Sequence, residues 1–256
     1  SVRNDSAKDP VGNERPSGRL DKRLITRVLR DIETAEKAGD LQTALTLLAE
    51  AIENNSAYQP SLARHLTEIQ SDLVLIQALA AATTSVGPQF AGKSVKLRDG
   101  NRVQITGIEG AKVHAKVDGQ PREFGWINLP LSFVEQCANA AKVNAKTRLG
   151  IVALGYRQGN AKAAEACLVR VLGSDKTLFP EASKIISRGR GEYVDEQGYT
   201  IVGGKFFAVR FLKVQKLAKQ MASKLSRLGR LTPGKRDEAL EEIRETGEDG
   251  LEDALV

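Results

Sequence analysis

The sequence predicts an α+β fold in which helical hairpins flank a small antiparallel β-barrel, with a C-terminal β-hairpin and a long helix after them. Three patterns predict it. Apolar residues recur at three and four over residues 24–79 and again over 132–187, the period of helices with one buried face. Over 93–127 they alternate with charged residues, and Asp99-Gly100, Glu109-Gly110 and Asp118-Gly119 interrupt the alternation as tight turns do. Helical spacing returns after Gly203-Gly204, a pair suited to a two-residue hairpin turn.

Residues 1–20 mix charges with Pro10, Gly12, Pro16 and Gly18 and lack an apolar period, so they read as a flexible arm. The N-terminal helical region, 21–89, opens with a hairpin over 24–38 and 41–53. It turns at Gly39-Asp40, a C-cap glycine followed by an N-cap acid. A third helix follows Pro60 with Ser61 as its cap and stops before Gly87-Pro88. Four short strands joined by tight turns make 90–130 a small barrel. Region 131–190 returns to helices over 132–142, 148–155, 161–172 and 180–187, with 188–204 read as loop and strand. Region 191–234 holds a hairpin of 199–202 with 205–209 and a long helix to about residue 228. The remainder, 235–256, is an acidic helix or tail.

Composition narrows the function classes. The 256 residues carry 38 Lys plus Arg against 32 Asp plus Glu, a net +6, and 41% are hydrophobic, which excludes a mostly disordered chain. The longest apolar run, near 73–82, is broken by Gln77 and is shorter than the roughly 20 residues of a membrane span, so no transmembrane segment is expected. The first residue is Ser1, not Met, which implies an N-terminal segment removed upstream and leaves the compartment open. Cys137 and Cys167 lie in Ala-rich helical surroundings without a Cys-x-x-Cys pattern and read as buried apolar residues. His65 and His114 have no ligand-type neighbour at helical spacing, so neither a metal site nor a cofactor is expected. Catalytic signatures are missing too: Gly189-Arg190-Gly191 starts a Gly-x-Gly pattern, but no strand and helix flank it, and it reads as a loop.

Residues 38–52 and 158–172 align without gaps, matching Gly39 with Gly159, Asp40 with Asn160, Ala44 with Ala164, Leu48 with Leu168 and Ile52 with Leu172. Glycine ends one helix, alanine admits its partner closely and leucine fills the groove. This resembles the second half of a tetratricopeptide-like helical hairpin. The first-helix Trp and Tyr positions of that pattern are unfilled, and two copies this far apart do not stack as a solenoid. Residues 92–135, from the opening Val95-Lys96-Leu97-Arg98-Asp99-Gly100 to the exit Leu129-Pro130-Leu131, resemble a small SH3-like barrel. The order of hairpin, barrel and hairpin is similar to accessory regions of large multidomain bacterial proteins, notably those of planctomycetes. Such regions imply no single activity.

Two surfaces hold the candidate binding residues. Phe124 and Trp126, two positions apart, put both rings on one face of the last barrel strand, where they fill its core or line a groove; the core reading is preferred because the barrel has few other large residues. Lys112 and Lys116 add to a net +3 on the barrel. The sharper feature lies at the C-terminus, where 205–236 hold ten basic residues and no acid while 237–256 hold nine acids and Arg244. Phe207, Phe211, Val214, Ala218, Met221, Leu225 and Leu228 form one apolar stripe. Lys213, Lys216, Lys219, Lys224, Arg227 and Arg230 lie on the other face. Such a helix either packs its stripe on the domain or meets nucleic acid, an anionic membrane surface or an acidic partner. The leading expectation is a non-enzymatic protein-interaction or scaffold module with protein partners, and the alternative is a polyanion binder. An intramolecular contact between the basic helix and the acidic tail is expected in either case.

Overall fold

The computed structural model of the chain describes residues 22–56, 59–192, 198–228 and 234–244. The expected arm at 1–20, Arg230 and the tail beyond 244 lie outside the described residues. Helices α1 (Lys22–Ala38) and α2 (Leu41–Ser56) form the first hairpin, and α5 (Ala145–Arg157) and α6 (Ala161–Ser174) form its counterpart. The two turns share one hydrogen-bond pattern. Gly39 N donates to Glu36 O and Asp40 N to Ala35 O, while Gly159 N donates to Tyr156 O and Asn160 N to Gly155 O. Both glycines sit at positive φ, +78° and +70°, the left-handed turn that ends a helix in this bonding pattern. Asp40 Oδ1 and Asn160 Oδ1 then accept from Thr43 N and Ala163 N as N-caps of the following helices.

Ala44 and Ala164 are fully buried. A Cβ placed on Gly155 of α5 would stand 2.8 Å from the Ala164 Cβ, so backbone meets backbone there. Ala164→Leu and Ala44→Leu are each expected to overpack their pair and cost about 1–3 kcal/mol. Urea denaturation measures both, and no loss at either site would dissolve the equivalence of the hairpins.

Helix α3 (Pro60–Thr83) packs between α2 and α5, with Leu66, Leu73, Ile76 and Leu79 buried. It starts ahead of Ser61: Gln59 is the N-cap and Pro60 opens the helix, where its fixed φ and missing N–H cost nothing. With the 3-10 turn after it, residues 60–90 are long and apolar enough to cross a membrane, an 18-residue window averaging a hydropathy of 1.3. Counting uninterrupted apolar runs in the sequence missed this, because Gln70, Asp72 and Gln77 interrupt the run without making the helix polar.

The alternating segment is a four-stranded antiparallel meander of β1 (Ser94–Lys96), β2 (Arg102–Glu109), β3 (Lys112–Val117) and β4 (Gln120–Gly125), in that spatial order. It does not close into the expected barrel. Strand β1 pairs with β2 alone and β4 with β3 alone. The reason lies in β4, where Gln120, Pro121, Arg122 and Glu123 are all exposed and offer no apolar face on which to curl the sheet. The buried side of the sheet, Val95, Val103, Ile105, Val113 and Ala115, joins instead a cluster with Phe90, Trp126, Leu129 and the helices.

Helices α4 (Leu131–Ala140) and α7 (Phe179–Arg190) complete the second helical region. Residues 188–190 belong to the last turn of α7 and not to a loop; Gly191, at φ +65°, caps it. Strands β5 (Tyr199–Val202) and β6 (Lys205–Ala208) form the expected hairpin, and α8 (Val209–Leu228) follows directly. Residues 234–244 form a further helix, α9. One contiguous cluster of buried residues runs from Ile32 to Phe206.

Polar side chains tie the helices to one another and to the turn that follows the sheet. Gln158 Nε2 donates to the carbonyls of Trp126, Ile127 and Leu129, at 2.7 Å for the last, and Asn128 Nδ2 donates to Lys37 O at 2.9 Å. Glu36 on α1 pairs with Arg157 on α5 at 2.6 Å, and Asp72 on α3 pairs with Arg188 on α7. Burial pushes both carboxyls above their usual range, against the pull of the arginines beside them.

Candidate functional site

The expected polyanion residues fall on α8, and the structure treats them unequally. Lys213, Lys216, Lys219 and Arg227 are exposed. Lys224 is half-buried and pairs with Glu242 of α9 at 2.7 Å, and Arg236 Nε donates to Leu228 O at 3.3 Å, so α9 folds back on the C-terminal half of α8. Among the described residues, an ion pair, Lys224 with Glu242, links the basic helix to the acidic segment. The Lys224 ammonium holds the exposed Glu242 carboxyl below its usual range through that hydrogen bond.

The apolar stripe does not pack on the domain as the sequence suggested. Phe211, Val214 and Leu225 remain 49%, 40% and 50% exposed, Ala218 is exposed, and Phe207, Met221 and Leu228 are half-buried. Leu217, off the expected stripe, is the buried residue of this helix, and Ile243 of α9 is buried as well. The cause is geometric: α8 leaves the body at β6, its principal neighbour there, so most of its length has no helix or sheet of the body beside it among the described residues.

The sheet candidates belong elsewhere. Trp126 lies in a 3-10 turn after β4 and is 2% exposed, so it belongs to the core; its indole Nε1 has no hydrogen-bond partner among the described residues. Phe124 is half-buried against the same core. Lys112 pairs with Glu123 at 3.1 Å, Lys116 is exposed, and neither lines the groove described next.

At the base of α8 a groove of about 1000 Å³ opens between α6, the end of α7 and β6. Arg190 anchors its wall. Its Nε and Nη2 donate to Glu165 Oε1 at 2.9 and 2.7 Å, Nη1 donates to Phe206 O at 3.3 Å, and the guanidinium lies 5.5 Å from the Tyr199 ring centroid. Tyr156 O–H donates to the same Glu165 oxygen and Tyr199 O–H to Glu192 Oε2 at 3.0 Å; burial raises both phenol pKa values, and neither hydroxyl ionises at neutral pH. Both acids that line the groove among the described residues thus have hydrogen-bond partners. Lys162, Lys205 and Arg210 line it without an anionic partner among the described residues, beside Phe207 and Phe211. Sequence reading counted Lys205 and Arg210 in the basic block but had no signal for Lys162 and Arg190, which folding brings in from α6 and α7.

Among the described residues, no group of three His, Cys, Asp or Glu side chains is placed to hold a metal ion. Cys137 and Cys167 are buried and unpaired, and burial pushes their thiols up to about 11 and about 12. The chain matches no family model, no curated protein and no solved structure in the three comparisons made.

Proposed function

We propose that this chain is a non-enzymatic protein-interaction module that offers α8 to a protein partner. One observation carries the reading: a twenty-residue helix joined to the body at one end keeps Phe211, Val214 and Leu225 in water, where an apolar face costs solubility unless something docks on it. The matching hairpin turns and the meander that exits through Leu129-Pro130-Leu131 support the tetratricopeptide-like and SH3-like reading of the frame, a rigid scaffold for such a helix.

A random-peptide display selection on the intact chain tests this. Enriched peptides are expected to lose binding to Val214→Asp/Leu225→Asp, two exposed positions whose change leaves the core untouched. Enrichment indifferent to that variant, or none, would reject the reading. The second reading, polyanion binding, is favoured by Lys216, Lys219 and Arg227, exposed and without a partner among the described residues.

A further inference from the structure

The geometry points to the groove at the base of α8 as a docking site for an acidic protein segment that carries apolar side chains. This inference rests on the protein-interaction reading and names the chemistry of the partner. Three observations lead to it.

The first is charge. Glu165 is paired with Arg190 and accepts from Tyr156, and Glu192 accepts from Tyr199 and lies 4.0 Å from Arg190, so that among the described residues Lys162, Lys205 and Arg210 stand around one opening without an anionic partner. A ligand that fills the space while leaving them unmatched forfeits the attraction that would orient it. The second is the floor, where Phe207 is half-buried and Phe211 half-exposed beside Ala166 and Ala208. Aromatic rings next to cations take an apolar side chain flanked by carboxylates.

The third observation is what α8 already holds. Its C-terminal half carries α9, an acidic helix with Asp237, Glu238, Glu241 and Glu242, which places Glu242 on Lys224 and buries Ile243. The occupied half of the helix thus displays the chemistry that the empty half lacks: carboxylate on lysine, aliphatic side chain underneath. The groove repeats the offer with Lys205, Arg210 and Phe211.

The test uses the intact chain and three fluorescent probes: a 12-residue peptide of Asp, Glu, Leu and Phe, the same peptide with every acid changed to Lys, and a 12-nucleotide oligo-dT. The acidic peptide is expected to bind and the lysine peptide not to. Lys205→Glu/Arg210→Glu and Phe211→Asp are each expected to weaken the acidic peptide by about tenfold or more. Arg227→Glu, on α8 but outside the groove, is expected to change it less than about twofold. Circular dichroism checks that these exposed substitutions leave the fold intact.

Equal binding of the acidic and lysine peptides overturns the inference. So does weakening by Arg227→Glu as large as by the groove variants, and so does binding that appears only after residues 237–256 are removed, since the chain's own acidic segment is then the occupant. In these three cases the broader reading stands on its display test. Preference for oligo-dT over every peptide overturns both.

Discussion

Arg157→Met is expected to destabilise the chain by about 3–5 kcal/mol, the cost of leaving a buried charge without its partner. Glu36 is 4% exposed and sits between α1 and α5, with Arg157 Nη2 at 2.6 and 2.7 Å from its two oxygens. Without the guanidinium, the Glu36 carboxyl, already raised by burial, rises further. A folded-state value above the unfolded one means that the folded chain binds the proton more tightly. The stability linked to that proton is full below the unfolded value of about 4.3 and is lost as pH rises through the folded value. The melting temperature of the variant is therefore expected to approach that of the parent as pH falls from 7 toward 5. Glu36→Gln in the same background should recover much of the loss at pH 7. A deficit independent of pH would show that Arg157 acts through packing and not through charge.

Gly125→Ala is expected to cost at least about 1–3 kcal/mol, the range for overpacking, because the obstacle here is backbone and cannot rotate away. A Cβ on Gly125 would stand 1.9 Å from the Glu36 carbonyl oxygen and 2.7 Å from Gly39 N, so the last turn of α1 rests directly on the end of β4. The change should lift α1 from the sheet and break the bond from Asn128 Nδ2 to Lys37 O. Its signature is a lower urea midpoint with faster amide exchange at Gly39 and Asp40. Gly173→Ala is the control: Gly173 lies in α6 with nothing within 4 Å of the added atom, and alanine there should stabilise by up to about 1 kcal/mol. Equal effects at the two sites would contradict the close approach of α1 and β4.

Much of the secondary structure was legible because periods of two and 3.6 persist wherever one face is buried. Val103, Ile105, Val113 and Ala115 alternate in the sequence and point into the core in the structure. The Gly39 and Gly159 turns were visible for a similar local reason, since a left-handed residue followed by a capping side chain leaves its mark within a few positions. Closure of the sheet was not legible, because it depends on whether β4 has an apolar face and on helices that cover the open side. Arg188 and Arg190 read as part of a glycine-rich loop, and only the placement of Asp72 and Glu165 on other helices gives them structural work. The stripe on α8 was visible, but its exposure was not: periodicity says which residues share a face and nothing about whether a partner covers it.

The central claim, that α8 engages protein through apolar contacts, is tested most directly by a salt titration of two ligands on the intact chain and on Val214→Asp/Leu225→Asp. The ligands are a display-selected peptide and oligo-dT, followed by fluorescence anisotropy from about 50 to 300 mM salt, a range over which a polyanion contact loses orders of magnitude in affinity. The expected result is peptide binding that falls shallowly with salt and about tenfold or more in the variant, with oligo-dT weaker throughout. Oligo-dT binding tighter than the peptide, falling with a slope of several units in log affinity against log salt and unchanged in the variant, would contradict the claim and assign α8 to a polyanion.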